Sequence, residues 1–199
     1  MSSPSQTGPS DARVEDVVRL ARETFLADVR VDMQVLAAEL GIGRATLYRW
    51  LEGREELLDR VLGDLAVEFF AASRAQVTTP DPDEALAETV RRLVTTTSQL
   101  PAVRGFAARE PQLALRLVVG RRHAVRGRLI ACFQQMTDAL AGGEGGGLAG
   151  FSEAIVTVGL ALVWPSLAVG DEPSGEEVAA IVRSLLVGAR AGQLSSTRS

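Results

Sequence analysis

VDMQVLAAELGIGRATLYRWLEGREELL, running from Val31 to Leu58, decides the fold. Leu36, Ala37 and Leu40 stand at i, i+1 and i+4, which puts small and branched apolar groups on one face of a short helix. Asp32 is placed to cap that helix. Gly41 marks its end, because glycine adopts a left-handed backbone without steric cost, and Ile42 can tuck under the turn as an apolar plug. A second short helix follows from Arg44 to Leu51. Leu47 and Leu51 point inward one turn apart, while Arg44, Ala45, Thr46, Tyr48 and Arg49 share the outer face. Two short helices around a glycine corner form a helix-turn-helix, which reads DNA with the first residues of its second helix. Arginine there can bridge guanine acceptors, threonine can meet a thymine methyl, and helix-end amides can hold phosphate. Arg44, Ala45 and Thr46 occupy that position, and their small neighbours let the helix approach base edges.

The bland reading of LYRW is packing. It is accepted for Leu47 and Leu51 as core and for Trp50 as a packing residue at the domain boundary. Tyr48 stays open between a phosphate contact and a packed position.

Composition is that of a globular chain. The 199 residues are 46% hydrophobic and 5% aromatic, enough to bury a sizeable core, and alanine, leucine, valine and arginine runs favour helix throughout. The formal net charge is −4, and residues 1 to 60 alone hold eight arginines against eleven acids. What matters for nucleic acid is the face presented to phosphate, and Leu40 to Leu51 contains Arg44 and Arg49 with no acid. A single cysteine, Cys132, excludes an intramolecular disulfide and zinc-finger spacing, fits a reducing cytoplasm, and reads as a small buried residue. The only histidine, His123, has no partners for a metal site or a catalytic triad. No catalytic residues, no metal and no cofactor are therefore expected. MSSPSQTGPS lacks the basic and apolar regions of a secretory signal and reads as a disordered lead-in over residues 1–10.

Downstream of the motif the pattern stays helical. A fourth helix is expected from Arg54 to Val77, ended by the break at Pro80 and Pro82. Leu86, Val90, Leu93 and Val94 stripe a helix from Asp83 to Leu100, and a short helix holds Val103 and Phe106. Pro111 opens a helix over Gln112 to Val119, where its missing N–H is harmless. A longer one is expected from Arg121 to Leu140. The glycine cluster Gly142 to Gly150 reads as a flexible loop; it lacks the lysine and preceding strand of a phosphate-binding loop. Ala154 to Val169 is almost wholly apolar, with Gly159 interrupting it and a bend or break at Pro165. Its roughly 16 residues fall short of the roughly 20 that cross a hydrocarbon core, so no membrane partner is expected. Glu176 to Ala191 carries the face Val178, Ile181, Val182, Leu185 and Leu186. Neither stripe can face water, and a twofold partner would cover both, which predicts a homodimer through a four-helix interface.

Taken in order, the helix from Asp11, the LAAELG helix, the GIGRATLYRW turn and second helix, and the Arg54-Glu55-Glu56-Leu57-Leu58 helix start resemble the DNA-binding domain of the TetR/AcrR family of transcriptional regulators. The resemblance implies phosphate contacts for Tyr48 and Arg54 and a dimer through the last two helices. Two positions depart from the family pattern: Gly43 replaces a serine or threonine cap, and Leu51 replaces a phenylalanine. Further along, GFAAREPQLALRLVVGRRH and LVWPSLAVGDEP are similar to the QsdR-like branch of that family, as is Asp32 to Trp50. That branch is associated with lactone degradation, which makes lactones candidate effectors.

The expected fold is all-α: an N-terminal three-helix helix-turn-helix DNA-binding domain plus a C-terminal helical-bundle ligand-binding and dimerisation domain. Its divisions are residues 11–53 for the first domain, 54–77 for a connecting helix, 78–192 for the second domain and 193–199 for a disordered tail. DNA-binding candidates are Gln34, Gly43, Arg44, Ala45, Thr46, Tyr48, Arg49 and Arg54. Effector-binding candidates are Phe106, Arg109, Leu113, Leu117, Phe133, Met136, Phe151 and Trp164, apolar groups on four helices with Arg109 able to orient a polar head group. Each apolar one reads first as plain core, and Arg109 can instead simply pair with Glu110 at a helix end. The run Arg121, Arg122, His123, Arg126 and Arg128 reads as a solvated face or as salt bridges to the acidic DNA-binding domain. The expected partners are an operator duplex, a small-molecule effector and a second copy of the chain. An enzyme, or an interaction protein that keeps an inherited helix-turn-helix, is the competing class.

Overall fold

Helices make up all the regular structure of the described residues, 11–120, 123–140 and 150–196, in a computed structural model. The chain divides into two units, residues 1–61 and 62–199.

The first unit contains α1 (Asp11–Leu26), α2 (Met33–Glu39), α3 (Arg44–Trp50) and the opening turns of α4 (Arg54–Ala75). Its core is the apolar stripe of each: Val17, Ala21 and Phe25 from α1, Leu36 and Ala37 from α2, Leu47 from α3, and Leu57, Leu58 and Val61 from α4. Local chemistry sets the ends of α2. Asp32 Oδ1 accepts the N–H groups of Gln34 and Val35 at 2.7 and 3.3 Å, and these two bonds hold its carboxyl below the usual carboxylate range. At the other end Gly41 has φ +63°, its N–H reaches the Ala38 carbonyl at 3.2 Å, and the Ile42 N–H reaches Ala37 at 2.9 Å. This paired closure needs a left-handed residue between the two donors. A Cβ at 41 would meet nothing within 4 Å, so the cost of substitution is conformational alone. Gly41→Ala should therefore lower stability by about 1 kcal/mol, read as a shift of the urea midpoint, and Gly41→Asn by less.

In the second unit proline opens three successive helices, α5 (Pro82–Gln99), α6 (Pro101–Arg109) and α7 (Pro111–Val119), each from its first position. Asp81 caps α5 by accepting from the N–H groups of Asp83 and Glu84. α8 (Ala124–Leu140), α9 (Phe151–Val169) and α10 (Gly175–Ser196) complete the unit. α9 is the hub: it packs against α5, α6, α7, α8 and α10. α10 lies along α5. They stand close at Gly175, where a Cβ would lie 2.5 Å from the Arg91 carbonyl oxygen, and Arg183 locks the pair by a two-pronged bridge to Glu84 at 2.7 and 2.9 Å. That guanidinium holds the Glu84 carboxyl below its ordinary range.

Several boundaries differ from the expectation. α9 starts three residues earlier than read, at Phe151, and runs through Pro165 without a break. The carbonyl that the proline leaves unbonded belongs to Ala161, which is exposed and can be solvated. At 19 residues α9 is long and apolar enough to cross a membrane by length and composition, yet it buries Phe151, Ile155, Val156, Leu160, Val163, Trp164 and Leu167 inside the unit. α10 extends to Ser196, beyond its apolar stripe and into the segment read as a tail. The lead-in over 1–10, Arg121 and Arg122, nearly all of the glycine cluster, and 197–199 lie outside the described residues.

The basic run is a correction. Arg126 is buried, and its guanidinium donates to Glu153 Oε1 at 3.1 Å and Thr157 Oγ1 at 2.7 Å on α9. Arg128 pairs with Asp64 on α4, and both residues belong to the second unit. Arg126 is therefore off the solvated face that the charge pattern suggested, while Arg128 keeps a partly exposed side chain and makes its bridge within the second unit. Two residues apart on one helix, they stand about 200° apart around its axis and turn toward different neighbours, α9 and α4. Cys132 is half-buried, and burial pushes its thiol pKa up.

Candidate nucleic-acid interface and effector region

α3 sorts its side chains by face. Leu47 and Leu51 are 0% and 1% exposed, Thr46 and Trp50 are half-buried, and Arg44, Ala45, Tyr48 and Arg49 are exposed. The sorting follows from period: residues 47 and 51 lie one turn apart on the inner side, leaving 44, 45, 48 and 49 outward. Gly43 precedes the helix in extended conformation and supplies no side-chain cap. Gln34 is exposed at the start of α2, its backbone N–H taken by Asp32. Tyr48 is 52% exposed, which places the ring outside the core. Arg54 is half-buried, and its Nε donates to the Val31 carbonyl at 2.6 Å, tying the start of α4 to the turn before α2. That bond is a positioning role the motif did not announce. The Glu52 N–H donates to Glu56 Oε2 at 2.5 Å, which engages the Glu56 carboxylate with backbone.

Candidates in the second unit sit on α6 to α9, which pack on one another. Phe106, Leu117, Phe133, Phe151 and Trp164 are buried, Leu113 and Met136 are half-buried, and Arg109 is exposed at the end of α6. Phe133 meets a residue that periodicity alone did not single out: Phe70 of α4, edge to face with ring centroids 4.9 Å apart. The adjacent Phe69-Phe70 pair was the available signal. Ser73, one turn on, was missed for want of any sequence signal, since a serine in a helix is ordinarily solvated or bonded to its own backbone.

An exposed arginine- and tyrosine-bearing second helix, seated by two leucines on a capped first helix and followed by a separate helical unit, defines the class: a helix-turn-helix regulator of transcription. The comparisons narrow it. A family model described as "Tetracyclin repressor-like, C-terminal domain" matches residues 83–187, and the chain belongs to the TetR family. Among solved structures the chain resembles the transcriptional repressor QsdR of R. erythropolis, with 26% identity, a TM-score of 0.79, and 90% of this chain and 96% of that one covered. It shares its fold with the TetR family repressor AlkX of Dietzia sp. strain DQ12-45-1b, at 17% identity and a TM-score of 0.57, covering 88% and 94%. No curated protein sequence matches.

Proposed function

We propose that the chain is a cytoplasmic, ligand-responsive repressor, not an enzyme, that binds an inverted-repeat operator as a homodimer and is released by a small apolar or amphipathic effector. The observation that carries this reading is the sorting of α3, with Arg44, Ala45, Tyr48 and Arg49 outward over buried Leu47 and Leu51. Arg44, Ala45 and Thr46 read bases; Tyr48 and Arg49 hold phosphate, with Gln34, Gly43 and Arg54 at the edge of the contact. Dimerisation is supported by the outer face of α9 and α10, where Leu162, Val169, Ile181 and Val187 are 41, 74, 38 and 71% exposed. Helices apolar on both sides need a second cover. The effector lies among Phe106, Leu113, Leu117, Phe133, Met136, Phe151 and Trp164, with Arg109 toward a polar end, and favours the dimer geometry that does not fit DNA. Lactones are the first compounds to try, through the sequence resemblance to the QsdR-like branch.

The test is retention of the DNA upstream of its own gene in a gel shift. Tyr48→Phe should weaken every duplex alike, by about tenfold, because a phosphate hydrogen bond carries no sequence information. Its melting temperature should stay that of the parent, since the hydroxyl is on an exposed ring. Unchanged retention by a chain carrying both Arg44→Ala and Tyr48→Phe would sink the groove assignment.

A further inference from the structure

α4 and α8 come into tight contact where Gly63 faces Ala124: a Cβ at 63 would lie 2.7 Å from that of Ala124. Two turns further along, the same helices are joined by two phenyl rings, Phe70 and Phe133, with centroids 4.9 Å apart and planes at 84°. Two rings fill a gap that near Gly63 has no room for a methyl group. Side chains, not close backbone contact, thus space the helices at the rings, three residues before Ser73 on α4 and Met136 on α8.

Ser73 lies one turn past Phe70 on α4 and is 2% exposed. Its Oγ has no hydrogen-bond partner. The other buried hydroxyls among the described residues are all bonded: Thr89 to the Ala85 carbonyl, Ser98 to that of Thr95, and Thr137 to Gln134 and Ser152. A helical serine can satisfy itself on the carbonyl three or four residues back, as Ser98 does, and Ser73 does not. A buried unsatisfied hydroxyl persists at a free-energy cost, and a group that arrives later can remove that cost. One neutral donor on a buried helix face suits an uncharged acceptor on an apolar body; a carboxylate would need far more than one hydroxyl.

We propose that Ser73 is the polar anchor of the effector site, its Oγ–H donating to the carbonyl oxygen of a neutral ester- or lactone-type amphiphile whose chain lies between α4 and α8 against Phe70, Phe133 and Met136. This rests on the reading of the chain as an effector-responsive repressor. Ser73, Phe70 and the hydrogen bond from Ser73 to the carbonyl are what it adds to that reading.

Isothermal titration of the full chain with γ-decanolactone and with the matching cyclic ether, hexyl-substituted tetrahydrofuran, isolates the carbonyl. The parent should bind the lactone about tenfold more tightly than the ether. Ser73→Ala should keep the ether affinity and reduce the preference to less than about twofold, while its ligand-free melting temperature equals or exceeds the parent's. A preference that survives Ser73→Ala overturns the proposal. So does a lower melting temperature with lactone binding unchanged, which marks a hydroxyl satisfied by a trapped water. No saturable binding of either compound by the parent up to about 1 mM overturns the ligand class. Gel shifts on the upstream DNA separate this from the broader reading. If parent and Ser73→Ala are released equally by the lactone, Ser73 is wrong and the repressor stands. If the parent never holds the DNA while lactone binding depends on Ser73, the site stands and the repressor falls.

Discussion

A chain carrying both Leu162→Glu and Val187→Glu should sediment as a folded monomer and lose its hold on operator DNA. Both side chains are on the outer face of the last two helices, 41% and 71% exposed, so neither substitution disturbs the packing of the single chain. A dimer interface across that face would bury them. Leaving even one carboxylate uncompensated in an apolar interface costs about 3–5 kcal/mol, which weakens association about a thousandfold. Monomers at micromolar concentration would then have to find two half-sites separately. Operator affinity should fall by orders of magnitude while helical content by circular dichroism stays that of the parent. The checks are equilibrium sedimentation and gel shift on the same preparation. A double variant that keeps the dimer mass places the interface elsewhere.

Arg44→Ala should cost about 1–3 kcal/mol of specific binding, or about 5- to 150-fold in Kd, if the arginine bridges the two acceptors of a guanine. Its position is suited to this, first in α3 and exposed, with Ala45 beside it leaving the helix free to approach. The loss should be selective. One base pair in each half-site becomes tolerant of substitution, while binding to unrelated duplex changes far less. Tyr48→Phe is the contrast, weakening all duplexes together. Folding stability should move by no more than about 0.5 kcal/mol, since the side chain is on the surface. Equal losses of specific and non-specific binding for Arg44→Ala would make it a phosphate contact instead.

Much of the first unit was legible because its signals are local. Asp32 caps the residues that directly follow it, Gly41 must be glycine for the turn it makes, and the spacing of Leu47 and Leu51 orients all of α3. In the second unit the prolines at 82, 101 and 111 mark helix starts for an equally local reason. The effector region was legible only as a list of large apolar residues, because periodicity tells which residues are inside and not what they face. Arg126 shows the limit. Its sequence neighbours are basic, so it read as part of a charged surface, yet it is buried against Glu153 and Thr157, 27 and 31 residues away. Pro165 shows another: the rule that proline breaks helices depends on the surroundings of the freed carbonyl, which here belongs to the exposed Ala161.

The sequence by itself determined an all-helical chain, a helix-turn-helix at Asp32 to Leu51 with Arg44 and Tyr48 on its outer face, and two apolar helices at the end. Each follows from interactions within one or two turns, which composition and spacing encode directly. Only the tertiary structure decided that α9 is the hub of the second unit with one face still open, that Arg54 ties α4 to Val31, and that α4 meets α8 at Gly63 and again through the rings of Phe70 and Phe133. The same holds for Ser73, whose hydroxyl is left buried without a partner. Those facts depend on which helix stands against which, and at what distance, and they are fixed by packing between residues far apart in the chain.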